Sequence, residues 1–126
     1  MAIRKQSINI EVRDYARKGR GICLNETIRK GTIIESLPVL VIEPETYQKV
    51  KQLPFINHTF VWDKSGVMES GAIGFGFASL CNHSPNPNAI IQKNFANSSI
   101  DLVALCDIRC DEEITIKYNN ALFEVA

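Results

Sequence analysis

The chain has 126 residues, 45% of them apolar and 22% charged, with a formal net charge of zero. That length supports one domain around one core, and the composition is that of an ordinary soluble globular chain. No window is apolar and long enough to span a membrane. The opening MAIRKQSINIEV has neither an apolar signal core nor a small-residue cleavage site, so an intracellular protein, cytoplasmic or nuclear, is expected. Residues 1–65 hold 11 Lys/Arg and 7 Asp/Glu (+4), residues 66–126 hold 3 and 7 (−4). The first bias is too diffuse to point to nucleic acid. In the second, CDIRCDEEI is either a solvated turn or an attractor for a basic partner.

Strand signals dominate in chain order. SINIEVR alternates, with Ile8, Ile10 and Val12 on one face. GRGICLN reads as a short strand after a basic turn. GTIIESLPVLVI is rich in β-branched residues, but Pro38 predicts two strands or a bend at an edge. EPETYQKVKQL is the one good helix candidate, with Pro44 suited to a first helical position and Glu45 to the positive end of the dipole. HTFVW alternates as a strand with His58, Phe60 and Trp62 on one side. NAIIQK, IDLVAL and EITIKY complete the set, with a polar hairpin loop expected over Lys93–Ser99. Strand–helix alternation is missing, which argues against a parallel doubly wound sheet. It also makes GAIGFGF a poor dinucleotide fingerprint. The fold class expected is mainly β, as a single domain over residues 1–126.

Four cysteines are spread along the chain, and only Cys106 and Cys110 are close in sequence. No second pair or histidine stands at ligand spacing, so no metal site is expected. Free thiols are expected instead, with Cys23, Cys81 and Cys106 in the core.

Three clusters carry chemistry-bearing residues. Lys18-Gly19-Arg20-Gly21 fits a hairpin turn, or a backbone that comes close to a ligand. In GFGFASLCNHSPNPNA, Asn82 and His83 are surplus to the turn made by Pro85 to Asn88. They either cap a helical turn and satisfy a buried backbone group, or read the edges of a polar ligand. In DIRCDEEITIKYNN, Tyr118 ends an alternating strand, as an edge residue or as a hydroxyl aimed into a pocket.

Taken together and in order, GRGI, TIRKGTIIE, GFASLCNHSPNPNA and ALCDIRCDEEITIKY resemble the SET-domain protein-lysine methyltransferases, over about residues 8 to 123. The compactness is most similar to minimal viral and bacterial members, which lack flanking zinc modules. The resemblance implies small β-sheets with one or two short helices and a C-terminal pseudoknot. Such threading is rare among folds, and it would bring the NHS segment beside the tyrosine strand. It implies S-adenosylmethionine as cofactor, held by Lys18, Gly19, Arg20, Gly21, Asn82 and His83, and Tyr118 as the catalytic tyrosine. His58, Phe60 and Ile116 would line the channel for the substrate lysine. The partner implied is a protein with a target lysine, a histone or another basic protein, with no nucleic acid or membrane bound directly.

Three departures from the family pattern stand out. His58 begins HTFVW where many relatives have an aromatic residue or tyrosine. Ile116 stands two residues before Tyr118, where relatives often carry Phe or Tyr, so multiple methylation is expected. Only NNALFEVA follows Tyr118, so Phe123 either covers the cofactor or packs on the core, and a homodimer partner is another source of a lid. The alternative to an enzyme is a SET-like module that binds a basic peptide without turnover.

Overall fold

In the computed structural model, which describes residues 9–118, the alternating aliphatic segments pair as antiparallel strands. β1 (Ile10–Asp14) and β2 (Arg20–Leu24) form a hairpin, registered from Ile10↔Leu24 to Asp14↔Arg20. A 3-10 turn over Ala16–Lys18 joins them, and Gly19 closes it at φ +77°, a backbone region that glycine enters without strain. Ile8 lies outside the described residues. Val12 is exposed, whereas Ile22, Cys23 and Leu24 of β2 are fully buried.

β3 (Ile33–Ile42) is a single ten-residue strand, not the two expected around Pro38. Its first half pairs with β8 (Ser99–Ala104), ending at Pro38↔Ser99, and its second half pairs with β5 (Gly71–Gly74), starting at Val39↔Gly74. Pro38 therefore sits where the partner changes. Its carbonyl accepts from Phe75 N–H at 3.0 Å, beyond the end of β5. In a strand the nitrogen of a residue points to the same side as its carbonyl, so the missing N–H falls where there is no ladder to break.

α1 (Pro44–Val50) begins with Pro44 in its first turn and buries Tyr47. β4 (Thr59–Val61) is shorter than HTFVW suggested: His58 ends a 3-10 turn over Ile56–His58, and Trp62 follows the strand. After β5 come a 3-10 turn over Phe77–Leu80 and β6 (Asn82–His83). β7 (Ala89–Asn94) runs one residue beyond NAIIQK, because Asn94↔Ser99 still pairs after Lys93↔Ile100; the hairpin loop is thus shorter than expected. β9 (Glu113–Ile116) ends the set.

The strands form two sheets, ordered β1-β2-β9-β6 and β4-β5-β3-β8-β7. One cluster of buried side chains draws on both, including Ile22, Leu24, Leu37, Ile100, Leu102 and Ile114. Full burial of each such side chain contributes about 1.5–3 kcal/mol. Reciprocal bonds of 2.9 Å between Ile28 and Ile108 tie the loops after β2 and before β9 to this core. Cys23 and Cys81 are buried, but Cys106 is exposed, contrary to expectation, because it lies in the bend after β8 rather than on the strand. No helix among the described residues is long and apolar enough to cross a membrane.

The glycines of GAIGFGF serve packing. A Cβ at Gly71 would stand 2.2 Å from the ring of Tyr47, itself 1% exposed. Gly71→Ala is expected to lower stability by about 1–3 kcal/mol through overpacking. Urea unfolding of the two proteins, fitted for midpoint and slope, measures the loss.

Candidate active site

β6 lies parallel on β9, with Asn82 opposite Thr115 and His83 opposite Ile116. The ladder continues through Ser84 N–H, which donates to Ile116 O at 2.9 Å. Two carboxyl or amide side chains hold it from either side. Glu35 of β3 accepts from Phe77 N–H and Ala78 N–H, both at 2.8 Å, and so satisfies the open donors of the turn that leads into β6. Asn88, buried behind the Pro-Asn turn, donates to Glu113 O and accepts from Thr115 N–H, both at 2.8 Å. One amide thus acts as a strand edge for β9.

Asn82 is also buried, and its Nδ2 donates to Glu113 Oε2 at 2.7 Å. The other oxygen of that carboxylate pairs with Lys18. Glu113 is only 12% exposed, so it needs such partners; an unpaired buried carboxylate is costly. Gly21 lies directly against this group. A Cβ there would meet Glu113 Oε2 at 2.6 Å, Asn82 Nδ2 at 2.7 Å and the Tyr15 ring at 2.9 Å. Gly19, by contrast, opens onto free space, with nothing within 4 Å of a Cβ position. Arg20 and Lys18 are exposed beside it. Tyr15 underlies the loop: its N–H donates to Gly19 O at 2.8 Å, and its buried hydroxyl has no nitrogen or oxygen partner among the described residues. Burial first and the neighbouring Cys23 thiol second push the Tyr15 hydroxyl up to about 12.

Tyr118 continues the apolar face of Ile114 and Ile116. Its N–H donates to His83 Nδ1 at 3.0 Å, its hydroxyl donates to Cys81 O at 2.7 Å, and the two rings stand 5.3 Å apart. Burial, with smaller contributions from Cys81 and Glu113, raises the Tyr118 hydroxyl to about 12, so it is neutral at ordinary pH. Burial and nearby Lys117 lower the proton affinity of His83, which suits a ring nitrogen that accepts. Tyr118, Ile116 and Phe60 line one cavity of about 400 Å³.

The expected residues are therefore brought together in two groups. Lys18, Gly21 and Asn82 meet at Glu113, with Gly19 and exposed Arg20 between Lys18 and Gly21 in the chain, while Phe60, Ile116 and Tyr118 share the cavity, and His83 joins the groups. His58 stands apart: it is exposed, is not among the cavity-lining residues, and its Nδ1 donates to Ser79 O at 2.8 Å. Phe123 lies outside the described residues. Glu113, Glu35, Asn88 and Tyr15 were missed from sequence. The only signal for Glu113 was its place at the head of an alternating strand, where one face must meet protein.

A β-rich domain that sets an Asn-His pair beside a strand ending in a half-buried tyrosine, close to a glycine-bounded arginine turn, is the arrangement of a protein-lysine methyltransferase domain. The chain belongs to the SET domain family, whose model matches residues 19–119. It is 34% identical over 115 residues to the Schizosaccharomyces pombe histone-lysine N-methyltransferase specific for H3 lysine-37, covering 90% of this chain and 76% of that protein. It is 31% identical to mouse histone-lysine N-methyltransferase NSD3 (86% of this chain, 8% of that one). With the H3 lysine-36 specific enzyme of Debaryomyces hansenii it shares 30% identity (92% and 17%). The chain thus spans three quarters of the first relative but less than a fifth of the other two. Among solved structures, a Plasmodium falciparum protein assigned to the histone methyltransferases superposes with a TM-score of 0.69 at 25% identity, covering 95% of this chain and 100% of that one. The SET8 protein of Cryptosporidium shares the fold, with a TM-score of 0.70 at 21% identity over 90% of this chain and 58% of that one.

The bond from Tyr118 N–H requires neutral His83. Because the folded pKa lies below the unfolded value of about 6.5, this contribution is complete above about pH 6.5 and is lost as pH falls toward the folded value. Thermal melts between pH 8 and 5 are expected to fall over that window, and His83→Asn is expected to flatten that part of the profile.

Proposed function

We propose that this SET domain, a single domain over residues 1–126, transfers methyl groups from S-adenosylmethionine to a lysine of a histone tail or another basic protein segment inside the cell. The observation that carries the reading is Tyr118: a neutral hydroxyl at the wall of a cavity, fixed by Cys81 O and through its own backbone by His83, the neighbour of Asn82 in the Glu113 cluster. The histone substrates of the relatives support the substrate class, and the nucleus as the compartment.

The cluster fits the cofactor. Gly21 lets the backbone press on the Glu113–Asn82 pair, and Gly19 leaves open space between the cationic Lys18 and Arg20, which suits a group bearing both an amino acid and a nucleoside. Lys18, Gly19, Arg20, Gly21, Asn82 and His83 would hold it. When bound it supplies an electrophilic methyl on a sulfonium.

The protein must then deliver a neutral amine in line. Lysine titrates near 10.4, so neutralising it at pH 7 costs about 4.6 kcal/mol. An apolar lining of Phe60, Val61, Ala89 and Ile116 disfavours the ammonium, which lowers that cost without a dedicated base. The Tyr118 oxygen, its proton given to Cys81 O, can accept from the amine N–H and align the lone pair. Ile116, buried at the cavity wall, offers no hydroxyl to hold a water or a partly methylated amine.

Tyr118→Phe is expected to cut transfer of labelled methyl about 10²–10³-fold, with cofactor affinity by calorimetry retained; a non-catalytic module would show no transfer from the start. In the parent protein the rate should rise with pH to about 10 as the substrate amine deprotonates, with no fall from ionisation of Tyr118 in that range. Ile116 predicts that exhaustive turnover yields di- or trimethyl product by mass spectrometry, and that Ile116→Tyr shifts it to monomethyl.

A further inference from the structure

The acidic run that could have drawn a basic partner is already engaged within the protein. Asp107 Oδ1 accepts from Lys30 N–H at 2.8 Å, and Asp111 pairs with Arg13 at 2.7 Å. Glu112 accepts from Arg109 N–H at 3.0 Å, and Glu113 is held by Lys18 and Asn82. Each of these carboxylates thus has a partner within the protein, while Asp107, Asp111 and Glu112 stay exposed.

The cavity beside Tyr118 has the opposite character. Among the described residues its lining contains no Asp or Glu. Buried Val61, Ala89 and Ile116 form its floor, with Phe60 and Ile91 alongside and exposed Ile90 and Leu105 at the rim. Two cations also stand at the rim, Lys93 and Lys117. Lys93 Nζ donates to Trp62 O at 3.1 Å. The nearby carboxylates have other partners: Glu69 pairs with Lys51 at 3.1 Å, and Asp63 accepts from Ser65 N–H at 2.8 Å. Burial first and Lys64 second lower the proton affinity of Lys93, and Asp63 and Glu69 work against that shift. At about 400 Å³ the cavity is in the range of small-ligand pockets, more than one extended lysine side chain occupies.

We infer that this cavity selects the residue next to the target lysine: it takes an apolar side chain of the substrate segment, with Lys93 and Lys117 excluding a basic one. The inference rests on the methyltransferase reading for its placement of the target lysine at Tyr118. The physical argument is a difference of affinities. An aliphatic neighbour gains from leaving water against the floor, whereas an arginine would be desolvated beside two cations with no carboxylate among the described lining residues to pair it.

Binding of fluorescent peptides, each with one central lysine and either Leu or Arg at both neighbouring positions, tests this by anisotropy with S-adenosylhomocysteine present. The Leu-flanked peptide is expected to bind about ten-fold tighter or more, the equivalent of about 1.4 kcal/mol. The double variant Lys93→Glu, Lys117→Glu is expected to narrow or invert the preference; should it fail to fold, the parent protein's own preference decides. Equal or tighter binding of the Arg-flanked peptide, or binding of neither, overturns the inference. Parallel methylation assays keep the two readings separate. Efficient transfer to the Arg-flanked lysine would sink the selectivity and keep the enzyme, while a Leu preference in binding without any transfer would do the reverse.

Discussion

The site depends on a parallel ladder only two residues long, Asn82–His83 on Thr115–Ile116. A ladder that short has few backbone bonds, each worth about 0.5–1.5 kcal/mol net. It joins segments more than thirty residues apart, so closing the intervening loop also costs entropy. Side chains supply what the backbone lacks. Asn88 fills the place of a further strand residue against β9, Ser84 extends the pairing by one bond, and Glu35 fixes the turn that enters β6. Remove the amide of Asn88 and the Thr115 N–H and Glu113 carbonyl lose partners in a half-buried place, where each orphaned group costs about 1–3 kcal/mol.

Glu113 links this ladder to the hairpin turn at the other edge. Its carboxylate receives Asn82 from β6 and Lys18 from the Ala16–Lys18 turn, and only a glycine at position 21 lets β2 pass close enough. Three parts of the chain, near residues 20, 82 and 113, are thus fixed by one charged group. The opposite loop face, at Gly19, is open. On the proposed reading, a tight inner face with an open outer face would preorganise backbone groups for a ligand before it arrives, which lowers the entropy lost on binding.

Much of this was legible in the sequence, and the failures have physical reasons. Strand periodicity found the strands and Pro44 placed the helix, because burial on one face leaves a period of two and a proline marks a first turn. The motif order picked out segments that the fold brings together, near residues 20, 82 and 113–118. Pro38 misled because a proline rule assumes a ladder on both sides, and here the partner changes at that residue. His58 misled because one alternating register was extended across HTFVW, while a 3-10 turn ends at His58 and swings the ring toward Ser79 O. The carboxylates read as a solvated or partner-seeking turn have internal partners 3 to 98 residues away in sequence, a range that no local pattern carries. Asn88 looked like punctuation in SPNPNA because its amide pairs with backbone across the fold, not along it.

β9 also separates two kinds of chemistry that would interfere if mixed. Glu113 at its head lies in a polar cluster, and Tyr118 beyond its tail lies on an apolar cavity, at most roughly 17 Å apart for five residues of extended chain. Between them Ile114 and Ile116 are buried, so the intervening face is dry. A carboxylate placed at the Tyr118 end would stabilise an ammonium by attraction and raise the pKa of the amine that must react. On the proposed reading, keeping Glu113 at the far end, its charge paired with Lys18 and hydrogen-bonded by Asn82, would let the polar cluster take a charged ligand while the cavity favours a neutral nucleophile. The same separation explains why Tyr118 is tied to a backbone carbonyl, not to an acid: its hydroxyl can be held in direction without giving the reacting amine a counter-ion.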